Sequence, residues 1–332
     1  MMSLAARART LAPGVLVLFG IALFSRGFAT VVPAMSPLIV AIGCGALVAN
    51  TTGVPDWVRP GLDNHKLLLE TGIVLLGVRL TIAQVIETGP MVAALAAFMV
   101  VFGVLYMETV VGRLFDVGKR TTSLLAAGAS VCGVSAVLAV AGSIDVDETD
   151  ITYAVATILL FDAITLVVFP LVGDLLQISG KQFGIWAGLS LFSTGPTAAV
   201  GFAVSETAGQ WATITKLARN TFIGIIVVGY AVRYATTETN QLNVAQIWGR
   251  FPKFLFGFLV VVLIVNLSGP STTAVASIGT IRDWLFLLAF VGLGFDIDVD
   301  ELRATGIRPV LLVLVHLVTV SVLTLSLVLS LF

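Results

Sequence analysis

Apolar stretches recur from one end of the chain to the other with only short polar joints between them, and this limits the fold more than any motif does. Eleven segments can be read: 13–32, 36–50, 67–83, 90–111, 121–142, 151–176, 183–205, 211–232, 252–268, 281–296 and 307–331. A membrane-crossing helix needs about 20 mostly apolar residues, so the second and tenth are short for a full crossing. A mean hydropathy of +1.06 cannot come from one anchor beside a soluble domain, which would pull the average towards zero. Only 11% of the residues are charged, against roughly 25% in soluble proteins, and a soluble globule is excluded. Runs such as Met91–Leu105 and Val310–Phe332 lack the period-two alternation of a barrel strand. The expected fold is an all-α polytopic membrane protein of about 10–11 transmembrane helices, with residues 1–332 forming a single integral membrane domain and no separate soluble domain.

The basic residues suggest an orientation, because cytoplasmic connections retain Lys and Arg. Arg7 and Arg9 precede the first apolar run as in a signal peptide, but no convincing small-residue cleavage site follows, so the run is read as a retained span. With the N-terminus inside, thirteen of the eighteen basic residues are cytoplasmic: Arg7, Arg9, Arg59, Lys66, Arg113, Lys119, Arg120, Lys181, Arg233, Arg250, Lys253, Arg303 and Arg308. The opposite side keeps Arg26 and Arg282 and carries the acidic run Asp145, Asp147, Glu148 and Asp150. The expectation is a multi-pass plasma-membrane protein with a cytoplasmic N-terminus and an external C-terminus.

Three cations, assigned to neither side, lie within the third and eighth segments: Arg79, Lys216 and Arg219. A cation at the centre of a spanning helix costs about 2.5–3.5 kcal/mol on insertion scales, and much less near an end, where it can snorkel. Arg79 is close enough to a segment end to do so. Lys216 and Arg219, three apart, share a helix face and repel each other unless an anion lies opposite. That anion is either a protein carboxylate such as Asp162 or Glu206, or a transported solute. Asp162, near the middle of the sixth segment, is read either as a salt-bridge partner of the pair or as an ion-coupling site.

Two segments are rich in small and hydroxylated residues. The fifth reads Gly128-Ala-Ser-Val-Cys-Gly-Val-Ser135 and the seventh Gly188-Leu-Ser-Leu-Phe-Ser-Thr-Gly-Pro-Thr197, with Gly128 echoing Gly188 and Ser130 echoing Ser190. Small residues allow close helix packing. They also allow a helix to break and turn free N–H groups towards an anion. Pro196 favours a break in the seventh segment; for the fifth, packing alone is an equal account. A second echo links Gly77-Val-Arg-Leu-Thr, leading to Gly89 and Pro90, with Gly294-Phe-Asp-Ile-Asp, leading to Gly306 and Pro309, and hints at an internal duplication.

These blocks resemble the YeiH-type family of conserved hypothetical integral membrane proteins, to which sulfate export has been ascribed. The resemblance runs from about residue 60 to the C-terminus. It rests on Gly128-Ala-Ser-Val-Cys-Gly-Val-Ser-Ala-Val-Leu-Ala139, on Tyr153-Ala-Val-Ala-Thr with Phe169-Pro170, on Phe183-Gly-Ile-Trp-Ala-Gly188, and on Ile214-Thr-Lys-Leu-Ala-Arg219. It implies kinship with bile-acid and arsenite-type transporters, whose inverted helical repeats contain discontinuous helices crossing near mid-membrane. The chain departs from that pattern where relatives carry a His-Glu pair and this sequence has Phe192 and Ser193, where a family glutamine falls at Pro196, and at Asp162, where relatives have glycine.

The expected function is therefore secondary transport of a small anion of the sulfate, sulfite or organosulfonate class, in the export direction, by alternating access. Lys216, Arg219, Ser130, Cys132, Gly133, Ser190 and Arg79 are the expected substrate-binding residues, Arg219 offering a planar fork to oxyanion oxygens, with Asp162 for ion coupling. The alternatives are a proton- or sodium-coupled antiporter using Asp162, and an anion-binding membrane receptor that moves nothing. An enzyme is not expected, since neither GxSxG nor HExxH occurs. His65 lies in a connection, and His316 is read as a helix-packing hydrogen-bond partner. No metal site and no cofactor are expected. The net charge of −1 gives no support for nucleic-acid binding, and Cys44 and Cys132 lie in apolar stretches. The partners expected are the solute and the lipid bilayer, with a homodimer as one option.

Overall fold

The computed structural model describes residues 4–32, 35–79, 82–234, 253–300 and 306–332. Arg250, Arg303, Leu80 and Thr81, all used in the sequence reading, lie outside them, as does the side chain of Arg7. In chain order the helices are α1 (Leu4–Val31), α2 (Pro37–Thr52), α3 (Arg59–Leu62), α4 (His65–Leu76), α5 (Ile82–Tyr106), α6 (Gly112–Leu114), α7 (Lys119–Ala127) and α8 (Val134–Ala141). They continue as α9 (Glu148–Leu176), α10 (Gly180–Ser190), α11 (Thr194–Val204), α12 (Glu206–Asn220), α13 (Ile223–Arg233), α14 (Phe254–Ser268), α15 (Thr272–Phe295) and α16 (Ile307–Leu331). Among the described residues every regular element is helical, and each of the eleven apolar segments carries helix.

Among the described residues, six stretches are long and apolar enough to cross a membrane, and α2 and α14 are shorter apolar helices. The other apolar segments are interrupted. Segment 67–83 passes from α4 into a 3-10 turn at Gly77–Arg79, segment 121–142 is split between α7 and α8, and segment 183–205 between α10 and α11. Polar caps set several of the starts. Ser36 Oγ accepts from Leu38 N with Pro37 behind it, Ser179 and Gln182 form a reciprocal capping box at α10, and Ser205 and Ser271 cap α12 and α15.

The chain resolves into two compact units. The first comprises Met1–Glu87 and Lys253–Val299. In it α15 packs on α2 and α4, around a core of Leu18, Ala22, Ala41, Val58, Leu62, Leu287 and Val291. Gly45 and Gly294 meet backbone to backbone, so that a Cβ on either would collide with the facing carbonyl. Lipid offers no hydrophobic drive for helix association, and such close approach is what replaces it.

Two sequence readings change in this unit. Arg282, assigned to the external side at the edge of its segment, is a buried residue within α15, paired with the carboxylate of Asp283 at 2.6 Å. The polar stretch Thr280-Ile-Arg-Asp283 had hidden the first half of the helix, which begins at Thr272 and is long enough to cross. His65 is buried, its Nε2 lying 3.2 Å from Asp296 Oδ2.

The second unit comprises Thr88–Pro252 and Asp300–Phe332. Here α12 runs along both α10 and α11. Gly184 and Gly188 make this possible, since a Cβ at either would come within 2.5 Å of Ala208 O or Thr215 Cβ. Helix α9 packs on α7, α8, α11 and α16.

Candidate functional site

The second unit contains two broken helices, and the breaks touch. The first follows α7: a π turn at Gly128–Cys132 ends at Gly133, which has φ of 67° and ψ of −138° before α8 begins. Glycine is the residue that adopts such a backbone readily. Its missing side chain also matters, because a Cβ there would run into Ser193 Oγ. Ser193 belongs to the second break, where Leu191 and Ser193 are extended between α10 and α11. Pro196, expected to cause this break, lies past it in the first turn of α11, where a helix has no use for the N–H that proline lacks.

Breaking a helix inside a protein leaves carbonyls without partners on one side and N–H groups on the other. The carbonyl sides are met by the two cations of α12, both buried. Lys216 Nζ donates to Val131 O at 2.7 Å and to Leu191 O at 2.9 Å. Arg219 donates through Nε to Ser130 O at 3.2 Å, and through Nη2 to Ala129 O at 2.9 Å. Its Nη1 reaches Gly188 O, Leu189 O and Leu191 O at 3.1, 2.7 and 2.8 Å. One guanidinium thus ties the two breaks together. Hydrogen bonds to a charged donor stabilise by about 1.5–3 kcal/mol each.

The N-terminal sides, at the starts of α8 and α11, carry the partial positive charge of a helix start. A carboxylate is already there: Oδ1 of Asp162, a buried residue of α9, accepts from Ser193 N at 3.2 Å. The salt bridge read between Asp162 and Lys216 or Arg219 does not form, because those cations spend their donors on the carbonyls. Asn220, closing α12, donates through Nδ2 to Thr194 Oγ1 at 3.0 Å, at the first turn of α11.

Five buried side-chain atoms among the described residues have no hydrogen-bond partner: Ser130 Oγ, Asp162 Oδ2, Thr215 Oγ1, Asn220 Oδ1 and His316 Nδ1. All belong to this unit. Leaving such an atom unpaired costs about 1–3 kcal/mol, so each calls for a polar partner that the neighbouring side chains do not supply. His316 departs from its sequence reading, since its Nδ1 bonds to no neighbouring helix; its ring lies near those of Tyr106 and Phe192, centroids 6.2 and 6.5 Å away.

The other expected binding residues divide. Ser130, Cys132 and Gly133 lie at the first break with Lys216 and Arg219 against it. The Ser190 hydroxyl is paired with Thr324 Oγ1 of α16 at 2.7 Å, linking α10 to the last helix. Arg79 belongs to the first unit, exposed and close to Gly279. Phe192 and Ser193 fall at the second break: Phe192 is buried against Phe161, and Ser193 contributes its N–H.

Fold and site together define a multi-pass helical membrane protein whose buried polar centre is made by two broken helices. The family of conserved hypothetical protein 698 matches residues 13–313, and the chain belongs to it. It is 32% identical over 282 residues to a UPF0324 membrane protein of Nitratidesulfovibrio vulgaris, covering 82% of this chain and 78% of that one. It is 27% identical to a UPF0324 membrane protein of Clostridium tetani, covering 76% and 77%. With one of Rhodopirellula baltica it shares 28% identity over 82% of this chain but 53% of the longer relative. No solved structure matches.

Proposed function

We propose that the protein is a secondary transporter that carries a small oxyanion by alternating access, binding it where the two broken helices touch. The carrying observation is the division of labour at the breaks. Lys216 and Arg219 hold the carbonyl ends, while the N-terminal ends of α8 and α11 carry the positive field suited to an anion. Ser130, Cys132 and Gly133 line the first break, and the cations act on the solute by charge, Arg219 being too engaged with carbonyls to offer its full fork. The sulfate, sulfite or organosulfonate class and the export direction are taken from the family resemblance, as is an inverted repeat in the fold.

Asp162 is proposed as the coupling residue, with one carboxylate oxygen on Ser193 N and the other unpartnered. A carboxylate at the place that suits an anion has to be neutralised before a solute anion shares it, which couples proton uptake to anion binding. The alternative of a proton- or sodium-coupled antiporter gives Asp162 the central part and no bound anion. No reaction chemistry belongs to the proposal, and the cytoplasmic N-terminus rests on the distribution of Lys and Arg.

The test is flux of radiolabelled sulfate and sulfite, and of taurine, into proteoliposomes of purified protein, with pH recorded on both sides. Saturable flux accompanied by proton movement supports the reading. Binding of an anion without flux would turn it into a receptor, and sodium–proton exchange without anion movement would favour the antiporter.

A further inference from the structure

Ser130 and His316 come from different elements, the π turn after α7 and the last helix, yet both meet the same point of α5. A Cβ built on Gly103 would stand 2.6 Å from Ser130 Oγ and 3.2 Å from His316 Cε1. Both residues are almost wholly buried, at 2% and 1% exposure, and Ser130 Oγ and His316 Nδ1 are two of the unpartnered atoms. A serine on a helix ordinarily returns its hydroxyl to a carbonyl of the preceding turn. Ser130 Oγ makes no such bond. A buried histidine likewise engages its ring nitrogens when its role is packing. The aromatic faces beside the ring come from Tyr106 and Phe192, and Tyr106 is itself held by its hydroxyl against Thr319 Oγ1 at 3.1 Å. The imidazole is thus flanked by two aromatic rings while its Nδ1 remains unused.

We infer that Ser130 Oγ and His316 Nδ1 form a hydrogen-bonding subsite for one oxygen of the carried oxyanion, at the place where the missing side chain of Gly103 lets α5 pack closely against both residues. The inference rests on the transport reading and adds two residues, His316 and Gly103, to its site. A serine hydroxyl and an imidazole in the Nδ1–H tautomer are both donors, so together they suit an atom that only accepts, as sulfate or sulfonate oxygens do. Arg219, whose Nε bonds to the Ser130 carbonyl, acts on His316 electrostatically and brings positive charge to the same place. In the conformation described the two atoms are closed off. The oxyanion reaches them when α5 and α16 draw away from the π turn, which is the kind of movement alternating access requires.

The experiment measures sulfate, sulfite and taurine binding by calorimetry on purified wild type and four variants, each first checked for unchanged elution and melting. Ser130→Ala removes the hydroxyl, and His316→Phe keeps the ring and removes its nitrogens. Gly103→Ala forces a methyl against Ser130 Oγ and His316, while Gly229→Ala, at a glycine with nothing within 4 Å of a Cβ, is the control. The expected result is at least tenfold weaker binding in both Ser130→Ala and His316→Phe, with Gly103→Ala weaker still and Gly229→Ala unchanged. Should Gly103→Ala fail to fold, the first two variants decide. Wild-type affinity in Ser130→Ala and His316→Phe would overturn the subsite and leave the transport reading intact. Absence of binding to wild type would overturn both.

Discussion

Arg219 is the residue on which most of the site depends, because its guanidinium bonds to five carbonyls drawn from two separate helix breaks. Replacing it by alanine leaves those carbonyls buried without donors. The expected loss exceeds about 3 kcal/mol, seen as a lowered melting temperature of the purified protein, and unchanged melting would contradict the arrangement. Arg219→Lys should recover part of it, a point charge being unable to reach both breaks with the same fork. Gly133→Ala should be comparably damaging, since it meets an unsuitable φ and Ser193 at once. The sequence made the importance of Lys216 and Arg219 legible, because two cations on one face of an apolar helix demand an explanation. Their partners were not legible: backbone carbonyls have no letter in a sequence, so carboxylates such as Asp162 were the visible candidates. His316 could have been singled out on the same ground as the cations, as an ionisable side chain in the long apolar run of α16.

At the level of elements, the small-residue segments behave as a pair, although their sequences argued for a break in only one of them. The seventh segment did break, but before Pro196, which opens α11. The fifth broke without any proline, through a π turn and a glycine of positive φ. Gly and Ser patterning shows where backbones can approach or open, and the tertiary setting decides which occurs. What decides it here is α12, lying along α10 and α11 with its cations directed at the exposed carbonyls. Cys132 tests the fifth segment directly, since it closes the π turn next to Gly133. In a Cys44→Ser background it is the sole cysteine, and sulfate or another carried anion should slow its labelling by a small maleimide several-fold. Labelling indifferent to every anion that binds would separate the break from the binding site.

For the molecule as a whole, the scarcity of charge gave the fold class with little ambiguity, and the helices follow the apolar segments closely. The division into two compact units was not visible, because each is assembled from stretches far apart in the chain. Orientation remains a matter of charge counting, and a reporter fused to the C-terminus should be active only outside the cytoplasm; cytoplasmic activity would reverse the assignment or change the number of crossings. Coupling also belongs to this scale. Asp162→Asn keeps an oxygen for Ser193 N but can no longer gain or lose a proton, so anion flux should persist while losing its dependence on the pH gradient. Flux that stays pH-driven in Asp162→Asn would move the coupling elsewhere. The most direct test of the central claim is a single flux measurement on wild-type proteoliposomes, loaded with sulfate, sulfite or taurine on one side and given a pH gradient. Accumulation of an oxyanion against its own gradient, abolished when the pH gradient is collapsed, is the predicted result; no movement of any of the three under either condition would contradict it.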